Sequence, residues 1–476
     1  MSRFKLPPKG KKATKPEEAA PLSFDDIVDE AINMEEKGDR YVDGDKARRF
    51  YERSCELYAQ AVAMNPEHDP LYNRGRLLLL LAEFRNPPYR PSECRGLLES
   101  SVNCLRRAAE LEPTNTDTLF NLAQALRTSA EHLFSIDGQE PLAIAVAEEA
   151  CALLEKVFAL QSEAYQRNPV DSAGSEPQPG VSTQQLPQDG DKIEESLESV
   201  TAIQSVTKDT LIDTLVAWAE TLSLRSSFCS DYASCMHFHS VAMEKLKLSE
   251  ALGIEPARLS LRCADALSTL ADTLASNEVE PTTAAEYFKQ SLALVQRALE
   301  IEPSSVEALC DKGDILWSFL AFQIKYGGSE AEIRTAFADV VNSYTSAFQL
   351  ESQNAEICAK LGDAQLYRIL LYPSPEQQKT REVLVGNAIL YYKRALAISE
   401  TRIDAIRTCL HMGKAASQIP ERDMECREAM IMWKKKGGKL VNGIFSGTDE
   451  DIPVDFSPAT KASPWFQQLL VILQSV

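Results

Sequence analysis

One register recurs along this chain, and it constrains the fold more tightly than composition does. An alanine followed five residues later by a proline closes apolar, helix-periodic segments at Ala61/Pro66, Ala108/Pro113, Ala164/Pro169, Ala251/Pro256 and Ala298/Pro303. Ala347/Ser352 and Ala395/Glu400 keep the alanine and lose the proline. Three residues before each alanine stands a large side chain, Tyr58, Leu105, Leu248, Val295, Tyr344 or Tyr392, with Gln161 the one departure. Residues three apart share a helix face, so each such pair offers a knob beside a gap to a neighbouring helix, and the proline then stops the segment. About ten residues beyond the stop comes a small residue, Gly75, Ala123, Gly313 or Gly362. A glycine inside a helix costs about 1 kcal/mol relative to alanine, so its repetition predicts two backbones in close approach.

The segments LFNLA (119–123) with AAELEP (108–113), and NMEEKGDR (33–40) with LYAQAVAMNP (57–66), resemble the two halves of a tetratricopeptide repeat (TPR). The resemblance runs over roughly residues 24 to 420 and implies an all-α fold, a right-handed α-α superhelical solenoid of TPR-like helix pairs. The stop positions lie 47, 56, 87, 47, 49 and 48 residues apart. The family's period is about 34, so longer helices or loops are required, and the proline-rich stretches 86–93 and 371–378 place much of the excess in loops. The 87-residue interval holds a Pro/Gly/Ser/Gln-rich insert. The organisation expected is therefore a disordered basic tail at 1–22, an N-terminal block at 23–169, a flexible linker at 170–192, and a C-terminal block at 193–436. Residues 437–476 form an extended acidic segment and a helix from Pro464 that caps the stack. Ser23 is placed to cap the first helix, ahead of Asp25 and Asp26.

Composition narrows the function. Fifty Lys+Arg against 70 Asp+Glu leave a formal charge of −20, which disfavours direct contact with nucleic acid or anionic lipid. The longest uninterrupted apolar run, 77–82, is far short of the roughly 18 residues a membrane span needs. The basic start has no apolar segment behind it, so it does not read as a secretory signal, and the eleven scattered cysteines read as free thiols in a reducing compartment. The expected location is the cytoplasm, with the nucleus as a further option, since KGKKATK (9–15) reads equally as a nuclear address or as a solubilising tail.

Chemistry is sparse. No phosphate-binding glycine loop, GxSxG, HExxH or CxxC pair occurs, so no cofactor and no enzyme activity are expected. In FCSDYASCMHFHS (228–240), Cys235 and His239 lie four apart and share a helix face, the one candidate for zinc. His237 and His239 point away from each other on a helix, and no second ligand pair lies nearby, so a packed helix start is the preferred reading.

The resemblance suggests one ligand to test. TPR proteins hold the acidic C-terminal peptide of heat-shock chaperones in a clamp of lysines, asparagines and an arginine on the first helices of successive repeats. Matching the clamp onto this chain around Gly38 puts Glu35 where the lysine and Asp39 where the asparagine belong. Asn73 fits, but Asp117 and Asn121 replace a lysine and an arginine, so the chaperone tail is not the expected partner. The reversed charge points instead to a basic protein. In this family the first helix of each pair lines the concave groove, and the residue after the small one faces inward, which places Asp39, Asp314 and Asp363 there with Arg76 and Gln124 as exceptions. Asp117, Glu307 and Glu356 stand near the starts of the same helices, where stabilisation by the helix dipole is the preferred reading of an acid. The chain reads as a non-enzymatic, protein-binding scaffold, an adaptor or dedicated chaperone for a basic client. The alternative is a structural subunit whose two blocks grip different neighbours.

Overall fold

A computed structural model describes residues 22–41, 44–84, 91–136, 138–167, 206–372, 374–398, 405–441, 444–446 and 469. The tail expected at 1–22 lies outside these save Leu22, as do the linker expected at 170–192 and most of 447–476. The described chain is a run of antiparallel helix pairs: α1 (Phe24–Tyr41) with α2 (Gly44–Met64), α3 (His68–Ala82) with α4 (Pro91–Leu111), α5 (Thr116–Phe134) with α6 (Glu140–Arg167), and α7 (Lys208–Ser227) with α8 (Tyr232–Leu252). There follow α9 (Pro256–Ser276) with α10 (Pro281–Ile301), α11 (Val306–Lys325) with α12 (Glu330–Leu350), α13 (Ala355–Arg368) with α14 (Gln378–Ile398), and α15 (Ala405–Ala416) with α16 (Asp423–Lys435). This is the TPR-like solenoid that the repeat implied, with the long period explained differently. Seven helices, α2, α4, α8, α9, α10, α12 and α14, run 21 residues. The connections 277–280, 302–305 and 326–329 are short, so through pairs five and six the excess sits in helix rather than loop.

Local chemistry sets the helix starts. Ser23 Oγ accepts from the Asp26 amide at 3.2 Å while Asp26 Oδ2 accepts from the Ser23 amide at 3.1 Å, closing a capping box on α1. Asn115, Ser305 and Asn354 cap α5, α11 and α13 just after the stop positions.

The knob and gap pack as their spacing predicts in five pairs: Tyr58/Ala61, Leu105/Ala108, Val295/Ala298, Tyr344/Ala347 and Tyr392/Ala395 are all buried. Two assignments move. In α6 the knob and gap are Leu154 and Val157, both 0% exposed, and the helix overshoots by two turns, carrying Gln161 and Ala164 past the register. In α8 they are Leu246 and Ser249, and Leu248 points to solvent at 47% exposure, because a two-residue slip on a 3.6-residue helix turns a side chain to the opposite face.

The small residues do what their repetition required. A Cβ on Gly75 would sit 2.6 Å from Leu105 Cγ, and one on Gly362 would sit 2.5 Å from Tyr392 Cε1. A Cβ on Gly313 would fall inside the Tyr344 ring. In α1 this place belongs to Ala31 and not to Gly38, which lies two turns further on and packs against Tyr51. Serine hydroxyls tie several pairs at the same level: Ser54, Ser101 and Ser291 donate to the carbonyls of Ala31, Gly75 and Ala264 at 2.7 to 2.8 Å.

The core does not break where the two blocks were expected to part. Thr214 Oγ1 on α7 donates to Gln161 Oε1 on α6 at 2.7 Å, Phe134 and Phe228 stack at 4.1 Å, and Leu154 shares one apolar cluster with Ile212 and Leu215. Successive first helices, α3 through α11, touch one another, whereas no two second helices do so to a comparable extent. The first helices therefore line the inside of the curve. Past α16, the segment expected to be extended forms a two-stranded antiparallel hairpin, β1 (Lys439–Val441) with β2 (Ile444–Ser446). Leu469 is buried in the apolar cluster of the last pair, where a capping segment was expected. No helix of the described chain is long and apolar enough to cross a membrane.

Two glycine substitutions separate packing from helix propensity. Gly362→Ala drives a Cβ into Tyr392 and should destabilise by about 1–3 kcal/mol. Gly96→Ala, on an open face of α4, should stabilise by about 0.5–1 kcal/mol. Thermal melts of the two variants beside the unaltered protein check both signs.

Candidate functional site

The aspartates that follow the glycines are structural before they are anything else. Tyr344 Oη donates to Asp314 Oδ1 at 2.7 Å and Tyr392 Oη donates to Asp363 Oδ1 at 2.7 Å. Each knob tyrosine lies flat on a glycine and anchors its hydroxyl on the next residue. Asp39 accepts from Tyr51 at 2.8 Å in a different register, near the end of α1. Asp363 is enclosed further, by His411 Nδ1 at 2.7 Å and Arg407 at 3.1 Å, with its side chain 16% exposed. Burial pushes its carboxyl up, but the hydrogen bond and charge of His411, with Arg407, hold it net below the usual range. Asp363 therefore faces its own chain and not an open groove. Asp314 keeps more exposure and meets Lys360 Nζ at 2.5 Å.

What the inner face does assemble is a larger acidic cluster centred on Arg262 of α9. Its guanidinium reaches Glu307 at 2.7 Å, Asp265 at 3.2 Å and Glu220 at 3.6 Å, and Asp311 and Asp314 stand close enough to add to the field. Four carboxylates on α7, α9 and α11, those of Glu220, Asp265, Glu307 and Asp311, thus surround one guanidinium, with Asp314, paired to Lys360, at their edge. Burial, with the neighbouring acids Asp265, Glu307 and Asp314, pushes Asp311 up to about 7, and burial pushes Asp265 up to about 6 in spite of Arg262. Burial likewise pushes Asp272, one further face repeat along α9, up to about 6. Burial is the main cause of all three shifts, and at Asp265 and Asp311 the neighbouring acids add to it, whereas Asp272 has none. Glu307 and Asp314 were singled out from sequence; Glu220, Asp265, Asp311 and Arg262 were missed. A signal for one of them was present, because Ala264-Asp265 repeats the small-residue-then-aspartate step of Gly313-Asp314 and Gly362-Asp363.

The remaining sequence candidates do not join this cluster. Arg76 is ion-paired with Glu35 between α1 and α3. Asn121 donates to Tyr72 Oη at 3.2 Å and Gln124 accepts from Arg127 at 3.1 Å, both within the N-terminal pairs. Asn73 is half-buried on α3, Asp117 is exposed in the first turn of α5, and Glu356 is half-buried in the first turn of α13. With Ala31 as the true register residue of the first pair, the clamp positions there become Val28 and Ile32, so Glu35 and Asp39 were compared out of register.

Cys235 and His239 lie one turn apart on the buried face of α8. Cys235 Sγ donates to the Cys229 carbonyl at 3.7 Å, and burial pushes its thiol up to about 11, which disfavours the thiolate a metal needs. His239 packs beside Tyr287, 6.2 Å between ring centres, and burial lowers its pKa. Among the described residues no three His, Cys, Asp or Glu side chains gather around a common metal position.

No protein-family model matches the chain. A curated protein of Schizosaccharomyces pombe, UPF0656 protein C926.02, is 31% identical over 155 residues, which is 32% of this chain and 34% of that protein. The chain thus matches about a third of the length of that relative. Among solved structures, the S. pombe nuclear import adaptor Nro1 aligns at 13% identity and a TM-score of 0.32, over 68% of this chain and 94% of that one. Residues 1–338 of Acl4, an assembly chaperone of RpL4, align at 14% identity and a TM-score of 0.39, over 76% of this chain and 99% of that one. No function is transferred from these similarities.

The crowding has a pH signature. A carboxyl raised in the folded chain binds its proton there more readily than in the unfolded chain, so stability is greatest at low pH within this window and is lost as pH rises from the ordinary carboxylate range through about 7. Asp311→Asn should therefore raise the melting temperature at pH 8 and change it little at about pH 4 or below. Equal shifts at both pH values would remove the titration of Asp311 as the cause.

Proposed function

We propose that this chain is a non-enzymatic protein-binding scaffold, an adaptor or dedicated chaperone, whose concave face receives a basic segment of a client protein. The observation that carries the reading is the cluster of Glu220, Asp265, Glu307 and Asp311 on three successive first helices, held around the guanidinium of Arg262, with Asp314 and its partner Lys360 at the edge. Two carboxyls shifted up by burial and mutual repulsion regain their charge when further cations arrive, so binding a basic segment relieves a cost built into the free protein. The formal charge of −20 extends the attraction beyond contact distance and favours fast association. Cytoplasm and nucleus are the compartments this reading assigns, in keeping with eleven cysteines that stand outside disulfides.

The aspartates after the glycines support this function less directly than their sequence position suggests, since Asp363 is consumed by its own chain. The client surface is centred instead on α7, α9 and α11. A structural subunit that grips neighbours with two separate blocks is less favoured, because α6 and α7 share a core.

Capture of partners from lysate at about 0.05 M salt, followed by a wash at about 0.5 M, tests the electrostatic part, because screening over a few ångströms removes surface attraction first. A basic protein retained at low salt and released by the wash is the expected result, and the double variant Asp265→Asn, Asp311→Asn should reduce its recovery several-fold. A fixed set of partners that survives the wash and ignores the double variant would establish the chain as a structural subunit.

A further inference from the structure

At the edge of the acidic cluster the inner face opens into a cavity of about 200 Å³ between α5, α7, α8 and α9. Glu131, Glu220, Ser223, Arg262, Asp265 and Thr269 line it, over a floor of aliphatic side chains. Its size is below the roughly 300 Å³ at which pockets for drug-sized ligands begin. It holds about the volume of six waters at ~30 Å³ each, the scale of one long side chain.

Two features of its lining are independent of each other. The first is an excess of acceptors: three carboxylates line the cavity, and the cations that meet them are already committed, Arg262 to Glu307, Asp265 and Glu220 and Arg127 to Glu131 and Gln124. The second is Ser223, which is 8% exposed and whose hydroxyl has no hydrogen-bond partner among the described residues. Buried hydroxyls are nearly always paired, and an unpaired one costs free energy that an incoming donor recovers. Nearby, Ser227, also in the lining, donates its proton to the Leu224 carbonyl at 2.7 Å and so can offer its oxygen only as an acceptor. The cavity thus offers many acceptors and few donors. A guanidinium is the natural complement, since it carries five N–H donors in a planar fork and accepts nothing, and it is less strongly hydrated than an ammonium.

We propose that this cavity takes the guanidinium of a single arginine protruding from an exposed, extended segment of the partner protein. The fork meets the carboxylates of Glu220 and Asp265 and the Ser223 hydroxyl, its stem lies along Ala219, Leu246 and Ala266, and the neighbouring acids of α11 attract the flanking basic residues. Charge complementarity sets the class of partner and the cavity selects arginine within it. The assignment rests on the reading of the concave face as a surface for a basic client and narrows it to one residue type.

The test uses the full chain and fluorescent peptides of about a dozen residues in a neutral Gly/Ser frame, each with basic residues around a central position occupied by arginine, lysine or citrulline. Fluorescence anisotropy at low salt should show the arginine peptide binding about tenfold or more tightly than the citrulline peptide and clearly more tightly than the lysine peptide; tenfold corresponds to 1.4 kcal/mol. Ser223→Leu fills the cavity without changing charge and should abolish the preference for arginine. Glu220→Gln, on a partly exposed side chain that packing does not need, should reduce it by a similar factor with an unchanged melt. If the unaltered protein binds the arginine peptide and both variants bind it equally well with the same preference, the cavity assignment fails and the basic-client reading stands. Equal binding of lysine and arginine peptides also overturns the assignment. If no basic peptide binds even the unaltered protein, both readings fall together.

Discussion

Each pair in this stack depends on one close contact, in which a small residue two turns into the first helix receives a large side chain from the second. Glycine at that point gives up about 1 kcal/mol of helix propensity. In return the backbone comes within contact of a ring or a branched side chain, and the packed surface on both helices becomes continuous. Gly75 with Leu105, Gly313 with Tyr344 and Gly362 with Tyr392 are variants of the same solution. A tyrosine knob adds a constraint of its own, because a hydroxyl carried into the interface needs an acceptor. The aspartate directly after Gly313 and Gly362 supplies it.

That solution has an electrostatic consequence. An aspartate placed to receive a tyrosine hydroxyl also faces the inside of the curve, and stacking pairs brings such residues from neighbouring first helices together. Where a local cation is available, as His411 and Arg407 are for Asp363, the charge is absorbed and the carboxyl stays below its usual range. Across α7, α9 and α11 the cations run short, so Asp265 and Asp311 are pushed up instead. Carboxylates on the inside of the curve are thus neutralised at one level and crowded at another, and the crowded ones are what a cationic partner can exploit.

Continuity of the core across the third and fourth pairs follows from a different compromise. Gln161 breaks the apolar pattern because α6 runs two turns beyond its register, where a polar side chain can survive burial only with a partner. Thr214 of α7 provides that partner. The same contact region carries the Phe134–Phe228 stack and the ion pair of Glu148 with Arg225, so the helices on either side of residues 168–205 are held by packing rather than by the segment that connects them.

Much of the fold was legible because its signals are local. Helix stops at proline, caps at Ser23 and Asn115, and a knob three residues before a gap all depend on residues within a turn or two of one another, and all appear in the helices as read. The misassignments at Gln161, Leu248 and Gly38 share a cause: a helix can extend or slip by a few residues without changing its local pattern, and only the neighbouring helix shows which face is buried. The acidic site was half legible for the same reason. Glu307 and Asp314 stand on one helix and could be paired by spacing, whereas Glu220 and Asp265 join them only across the stack, from positions 94 and 49 residues earlier than Asp314. By itself the sequence determined that this chain forms helix pairs with a small residue and a knob at each crossing, and that it carries a large negative charge. Which carboxylates crowd together, which are spent on tyrosines and histidines, and where a buried serine is left unpaired was decided by the tertiary structure, because those outcomes depend on distances between helices that no local pattern encodes.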